Sequence, residues 1–249
     1  MENKIGDMMG QLNLDKSVTA YNKESPYDLD NSLMLSWYPK RVAKKMNKGS
    51  LLELGLGHGY SCREFSKHID EYVVLDGSPA IIEKFRSENP DLNFVDIIET
   101  YFENFENNGT YDNIVMGFVL EHVNDPLEIL LKYKDMLSEN GRLFISVPNA
   151  TSLHRQLANI SGLLPDMYKL SPVDHEMGHM RYFDVDTLSA LVEKAGLKIE
   201  CIEGLLLKPF TTQQLTSLNL DEDIFQALLV KGIDYPELCT GILIEAKLK

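Results

Sequence analysis

Apolar and polar positions alternate in short blocks along most of this chain. Residues 51–54 form an apolar run that stops at Gly55, which predicts a buried strand. Residues 60–68 have helical length and follow a glycine-rich turn. Residues 72–75 predict a second strand, closed by Asp76-Gly77. Ser78-Pro79 then opens a helix, because Ser caps well and Pro suits the first helical position. Residues 92–95 and 113–116 predict strands three and four. Asp125-Pro126 starts a helix that carries Leu127, Leu130, Leu131 and Leu137 near one face and ends at Asn140-Gly141. Residues 142–147 predict a fifth strand, cut off by Pro148. The stretch 149–183 lacks a period and holds three of the six histidines. Asp184 or Asp186 then caps a helix with Leu188, Leu191, Val192 and Ala195 on one face, stopped by Gly196. Residues 197–202 and 241–246 predict two late strands around a helical stretch, 213–230. Strands that alternate with helices argue for an α/β fold on a mainly parallel sheet. Ahead of it, residues 1–48 predict a polar arm and then a helix through Trp37, Tyr38 and Arg41 to Met46.

The length of 249 residues suffices for one large core without metals or disulfides. Hydrophobic residues make up 44% and charged residues 25%, an ordinary globular balance that excludes wholesale disorder. The formal net charge is −14, and no run of Lys and Arg forms a basic face, so neither nucleic acid nor an anionic membrane is an expected partner. Cys62, Cys201 and Cys239 are far apart and form no C-x-x-C pair, which fits free thiols in a reducing cytoplasm. The first residues lack a signal core, and no apolar run approaches the ~18–20 residues of a membrane span. A cytoplasmic protein is the expectation.

The chemistry concentrates at the first strand–helix turn, Glu53-Leu54-Gly55-Leu56-Gly57-His58-Gly59. Glycines permit a tight turn and close approach of a ligand to the backbone, and the helix behind it offers free N–H groups. Asp76, at the end of strand two, can accept hydrogen bonds from both hydroxyls of a ribose. The dinucleotide fingerprint G-x-G-x-x-G is not met, since Tyr60 stands at its third glycine. That counts against a nicotinamide-dependent oxidoreductase.

The order of motifs resembles the class I S-adenosylmethionine (SAM)-dependent methyltransferases, in the branch that acts on small molecules. The residues that carry the resemblance are LLELGLGHG at 51–59, VVLDGS at 73–78, YDNIVMGFVLEHVNDP at 111–126, LSENGRLFISVPN at 137–149 and HMRYFDVDTLSALVEKAGLKI at 179–199. It spans 49–202. Glu53 and Leu56 stand where the family usually has Asp and Cys. The resemblance implies a Rossmann-like seven-stranded sheet, mainly parallel, with helices on both faces and one antiparallel edge strand. It implies SAM as cofactor, with Glu53 in the first motif. Gly55, Gly57 and Gly59 would face its methionine and ribose parts. Asp76, with Gly77 and Ser78, would hold the ribose. Tyr101 and Phe102 would lie by the adenine, and Gly117 and Phe118 by the methionine, with Trp37 and Tyr38 closing over it. The methyltransferase domain would then run from 49 to 249, with an acceptor-binding segment at 150–183 and a helical insert at 205–236. That insert could serve a homodimer or a pocket.

A hydroxyl acceptor must be aligned and lose a proton, and histidine is the usual base near neutral pH. His122, His175 and His179 are the candidate bases, and His154, Arg181 and Tyr182 the candidate acceptor contacts. His175-Glu176-Met177-Gly178-His179 matches the H-E-x-x-H zinc motif in letters, but Pro172 and Gly178 oppose the helix that motif needs. Related quinone-type and small-RNA-type enzymes bind a metal through E-x-x-E-H. Here Phe118 replaces the first glutamate, so no metal is expected, although Glu121, His122 and a later histidine leave a site open. The expected reaction is O-methylation of a small polar molecule, such as a sugar, a phosphorylated metabolite or a glycan precursor. N-methylation and a non-catalytic SAM-binding subunit are the alternatives.

Overall fold

The computed structural model describes residues 28–107 and 109–249. The arm before residue 28 lies outside the described residues. Helix α1 (Asp28–Ala43) precedes β1 (Ser50–Leu54), α2 (Tyr60–Phe65), β2 (Glu71–Asp76), α3 (Pro79–Glu88), β3 (Asp96–Glu99), β4 (Tyr111–Gly117), α4 (Pro126–Lys134) and β5 (Leu137–Pro148). Then come α5 (Leu153–Ile160), α6 (Pro172–Glu176), α7 (Val185–Lys194), β6 (Leu197–Leu205), α8 (Thr212–Ser217), α9 (Glu222–Gly232) and β7 (Gly241–Leu248). The strands form one sheet in the order β3-β2-β1-β4-β5-β7-β6.

Both faces of the sheet are covered. Ile129, Leu130 and Tyr133 of α4 and Leu188 and Val192 of α7 pack on one face. Tyr38 and Val42 of α1, Phe65 of α2 and Phe85 of α3 pack on the other. Strands buried on both faces are mainly apolar, which explains Leu51, Leu52 and Leu54 of β1, where Glu53 is the one buried polar side chain. The caps act where the residues suggest. Ser78 Oγ accepts from Ile81 N, and Asp125 accepts from Leu127 N and Glu128 N. Asp184, rather than Asp186, caps α7.

Three expectations need correction. Residues 92–95 are not the third strand. Asn89-Pro90 forces a turn, Leu92 and Val95 drop into the core beneath α3, and pairing with β2 starts at Asp96. The helix after Asp125 does not run to Asn140-Gly141. It ends at Lys134, because Leu137 is drawn into the sheet opposite Tyr111, and Asn140-Gly141 lies where the β4–β5 register shifts. The antiparallel strand is not at the edge. β7 pairs antiparallel with both β5 and β6. Its Ile242, Ile244 and Ala246 bury on one face and Leu243 on the other, so the strand needs cover on both sides.

Helix α1 is fastened across the far end of the sheet. Arg41 makes a two-pronged pair with Glu203, at 2.8 and 2.9 Å, and Lys45 reaches Glu203 and Glu245. These long side chains tie the C-terminal end of α1 to β6 and β7, and Tyr38 of α1 reaches Gly117 at the end of β4. Among the described residues, no helix is long and apolar enough to cross a membrane.

Candidate active site

A cavity of about 400 Å³ opens at the C-terminal ends of β1, β4 and β5, beneath α1. Its floor is the turn after β1. Gly55, Gly57 and Gly59 all have positive φ, at 85°, 49° and 74°, a backbone that side chains with a Cβ rarely adopt. Asp76 locks the turn from the neighbouring strand. Its Oδ2 accepts from Leu56 N at 2.9 Å and its Oδ1 from Ser78 N at 2.8 Å. Burial raises the Asp76 pKa, and these two N–H groups counter it.

Gly117 and Phe118 form the next wall. A Cβ on Gly117 would lie 2.5 Å from Tyr38 Oη, so only glycine lets α1 approach this closely. Phe118 has φ 59°, a strained value for an aromatic residue and a frequent mark of a functional position. Its ring meets Tyr38 edge to face at 5.6 Å. Of the two aromatic residues expected from the arm, Tyr38 lines the cavity. Trp37 does not. It packs against the same apolar cluster as Tyr38, with the Arg41 guanidinium 5.9 Å from its ring.

Glu53 is also not in the cavity. It turns beneath the glycine turn and accepts from Tyr72 Oη and, at 3.8 Å, from Cys62 Sγ. Burial pushes its pKa to about 7 against the bonds from Ser61, Tyr72, Cys62 and Tyr38. Its effect on the site is indirect, since Ser61 and Tyr38 are the groups that face the cavity. Asp76, Gly77, Ser78, Tyr101 and Phe102 lie across β1 from the cavity, at the ends of β2 and β3. The Phe102 ring comes within 4.0 Å of a Cβ position on Gly55.

The opposite wall comes from the chain after β5. This segment is tied at both ends, with Ala150 N donating to Phe183 O at 2.7 Å. It carries Asp174, His179 and Tyr182 onto the element after β4. Asp174 accepts from His179 Nδ1 (2.9 Å), Tyr182 Oη (2.9 Å), Ser171 Oγ (2.6 Å) and Ser171 N (2.7 Å). Burial pushes the Asp174 pKa up, but the bonds from His179, Ser171 and Tyr182 outweigh it and hold the carboxyl well below its usual range. With Nδ1–H given to Asp174, His179 keeps Nε2 as an acceptor. His122 lies beside it, ring centroids 4.8 Å apart. Burial lowers the His122 pKa to about 4, and a proton on the neighbouring His179 would lower it further. Glu121 completes the group. It is 1% exposed, neither carboxylate oxygen has a partner among the described residues, and burial raises its pKa to about 7. One ligand atom from each of Glu121, His122 and His179 lies within 4.8 Å of the others, so these residues could hold a metal ion.

His175 is not part of this group. It is exposed on α6 and does not line the cavity, because Asp174 and the Ser171 cap turn the buried face of that single turn inward. Arg181 is not an acceptor contact either. Its guanidinium donates to the carbonyls of Leu120, Val123 and Asn124, and it fixes the loop that presents Glu121 and His122. His154 and Tyr182 do line the cavity. Burial, Lys208 and Arg155 lower the His154 pKa to about 3.

A glycine turn locked by an acid, at the C-terminal ends of parallel strands in a 3-2-1-4-5-7-6 sheet, is a nucleoside-type site. A family model described as a methyltransferase domain matches residues 27–202. The chain belongs to the class I SAM-dependent methyltransferases. A ubiquinone biosynthesis O-methyltransferase from Xanthomonas euvesicatoria is 25% identical over 218 residues, covering 80% of this chain and 86% of that protein. An S-adenosylmethionine-dependent methyltransferase structure from Thermotoga maritima superposes with TM-score 0.65 at 17% identity, covering 95% and 98% of the two chains. The structure of DhpI in complex with SAM gives TM-score 0.59 at 14% identity, covering 96% and 99%. SAM is the cofactor of this methyltransferase.

Asp174, Asp30 and Lys208 escape sequence reasoning. Each is an isolated residue in an irregular or terminal segment, and only the folded chain brings it to the cavity.

Proposed function

We propose that this methyltransferase transfers a methyl group to a hydroxyl of a small polar molecule, and that His179, oriented by Asp174, takes the hydroxyl proton. The observation that carries this reading is the Asp174–His179 pair in the wall of the cavity. SAM supplies a sulfonium methyl, which passes to the acceptor oxygen as S-adenosylhomocysteine leaves.

The chain's own residues do the rest. Gly117, Phe118 and Tyr38 frame the methyl end and exclude water. Asp76 receives the ribose hydroxyls, while Phe102 lies by the adenine side. His179 Nε2 accepts the proton, and Asp174 steadies the imidazolium that results, as an acid partner does in other histidine bases. His122, with its low pKa, stays uncharged beside it. The name of the similar Xanthomonas protein supports oxygen as the acceptor atom. A phosphorylated acceptor finds no support, because Arg181 is spent on carbonyls and Arg155 largely so. Nothing points to a sugar or to carbohydrate biosynthesis.

Glu121, His122 and His179 favour a second reading, in which a divalent metal sits among them. Their oxygen and nitrogen donors suit such an ion, and the unpartnered Glu121 carboxylate fits a cation. When bound, it would polarise the acceptor hydroxyl as a Lewis acid.

Both readings are tested with SAM carrying a ¹³C-methyl, offered with a panel of phenols, diols and amines, with and without chelator. Methoxy products are expected, unaffected by chelation. N-methyl products alone would overturn the acceptor atom. Loss of methoxy products on chelation would select the metal.

A further inference from the structure

The cavity wall formed by the start of α1 and the segment after β6 holds a buried ion pair that the methyl-transfer step does not use. Lys208, after β6, is 4% exposed, and Asp30, in the first turn of α1, is 7% exposed. Both line the cavity, as does Thr212. Lys208 Nζ donates to Asp30 Oδ2 and, at 3.2 Å, to Thr212 Oγ1, which itself donates to Asp30 Oδ2 at 2.7 Å. An ammonium has three N–H groups, so among the described residues one remains to be used. Asp30 Oδ1 is buried and has no hydrogen-bond partner among the described residues. A half-satisfied buried pair is costly and adds little to stability, so a ligand that completes it is strongly favoured.

We propose that Asp30 and Lys208 form a subsite that reads an uncharged hydroxyl or carboxamide group of the methyl acceptor. This rests on the acceptor occupying this cavity. The pair has no net charge and presents one spare donor and one spare acceptor. A carboxylate would satisfy Lys208 but face the Asp30 oxygen. An ammonium would satisfy Asp30 but face the Lys208 cation. A hydroxyl or carboxamide gives and takes one hydrogen bond and suits both. The neighbouring His154, itself uncharged, does not upset that balance.

The test uses the full chain saturated with S-adenosylhomocysteine and titrated by calorimetry with three matched probes: benzamide, benzoate and benzylammonium. Benzamide is expected to bind at least about tenfold tighter than either ion, since a like charge across such a contact is strongly disfavoured. In Asp30→Asn, the lysine charge is no longer balanced and benzoate should gain at least about tenfold relative to benzamide. In Lys208→Met, benzylammonium should gain instead. A wild-type preference for either ion would overturn the proposal, and that ranking needs no variant to fold. So would an unchanged ranking in a folded Asp30→Asn protein, or no probe binding while S-adenosylhomocysteine binds. Loss of methyl transfer to hydroxyls with the probe ranking intact would instead count against the O-methylation reading.

Discussion

The cofactor side and the acceptor side of this site are built differently. On the cofactor side, the chain makes the site almost alone. The glycine turn, its helix and the acid that locks it lie within one β-α-β unit, and the decisive bond, Leu56 N to Asp76, spans 20 residues. On the acceptor side, the Asp174–His179 pair is local, but the segments that frame it are held by long-range contacts. Arg181 reaches back 61 residues to Leu120, Arg41 reaches 162 residues to Glu203, and Lys208 reaches 178 residues to Asp30. A fold can keep the first kind of site fixed while it changes the second one residue at a time.

The largest effect should come from the local side. In the proposed reading Asp76 is the charged partner of two ribose hydroxyls, each worth ~1.5–3 kcal/mol before water compensates, so Asp76→Ala should weaken S-adenosylhomocysteine binding by ~10²-fold or more. Unchanged affinity in calorimetry would break the assignment of Asp76 to the ribose.

Glu121→Gln comes next and acts on stability. Between the ordinary 4.5 and about 7, the folded protein keeps a Glu121 proton that the unfolded chain has released. Stability therefore falls as pH rises through that window, and the penalty is complete above it. The variant lacks this titration, so above about pH 7 it should be more stable than the wild type by up to about 3 kcal/mol, with the gap closing below about pH 4.5. Denaturant midpoints at the two extremes measure it. A bound metal would reverse the sign, because Glu121 would then be needed ionised.

Arg181→Ala should cost about 2–3 kcal/mol of stability, since three carbonyls lose a charged donor. A neutral result in denaturant unfolding would mean that water replaces the guanidinium and that the acceptor wall does not depend on it. Trp37→Phe should be the mildest. It should change stability by under about 1 kcal/mol, as for a partly exposed aromatic swap, and leave cofactor affinity unmoved. A tenfold loss of affinity would return Trp37 to the cavity.

The sequence was most informative where structure is local. Strand ends, the Ser78 and Asp125 caps and the Gly55–Gly59 turn follow from residues next to one another, and the motif order carried the sheet. It misled where tertiary pairing overrode a local signal. Leu137 looked like one more apolar helix position, yet the sheet takes it as a strand. His175 and His179 carried equal weight in the sequence, and only the Asp174 contact and burial separate them. Arg181 looked like an acceptor contact, and its three carbonyl partners were invisible because they belong to another segment. The Asp30–Lys208 pair gave no signal at all, since neither residue stands in a motif.

The central claim is that the acceptor side supplies a base held by Asp174. It is tested most directly by single-turnover methyl transfer to a hydroxyl acceptor, comparing wild type with His179→Ala at saturating SAM. S-adenosylhomocysteine titrations of both proteins run alongside. The account predicts a rate lowered by ~10²-fold or more in the variant, the usual weight of a lost general base, with S-adenosylhomocysteine affinity within about twofold. An undiminished rate in a variant that still binds S-adenosylhomocysteine would contradict it.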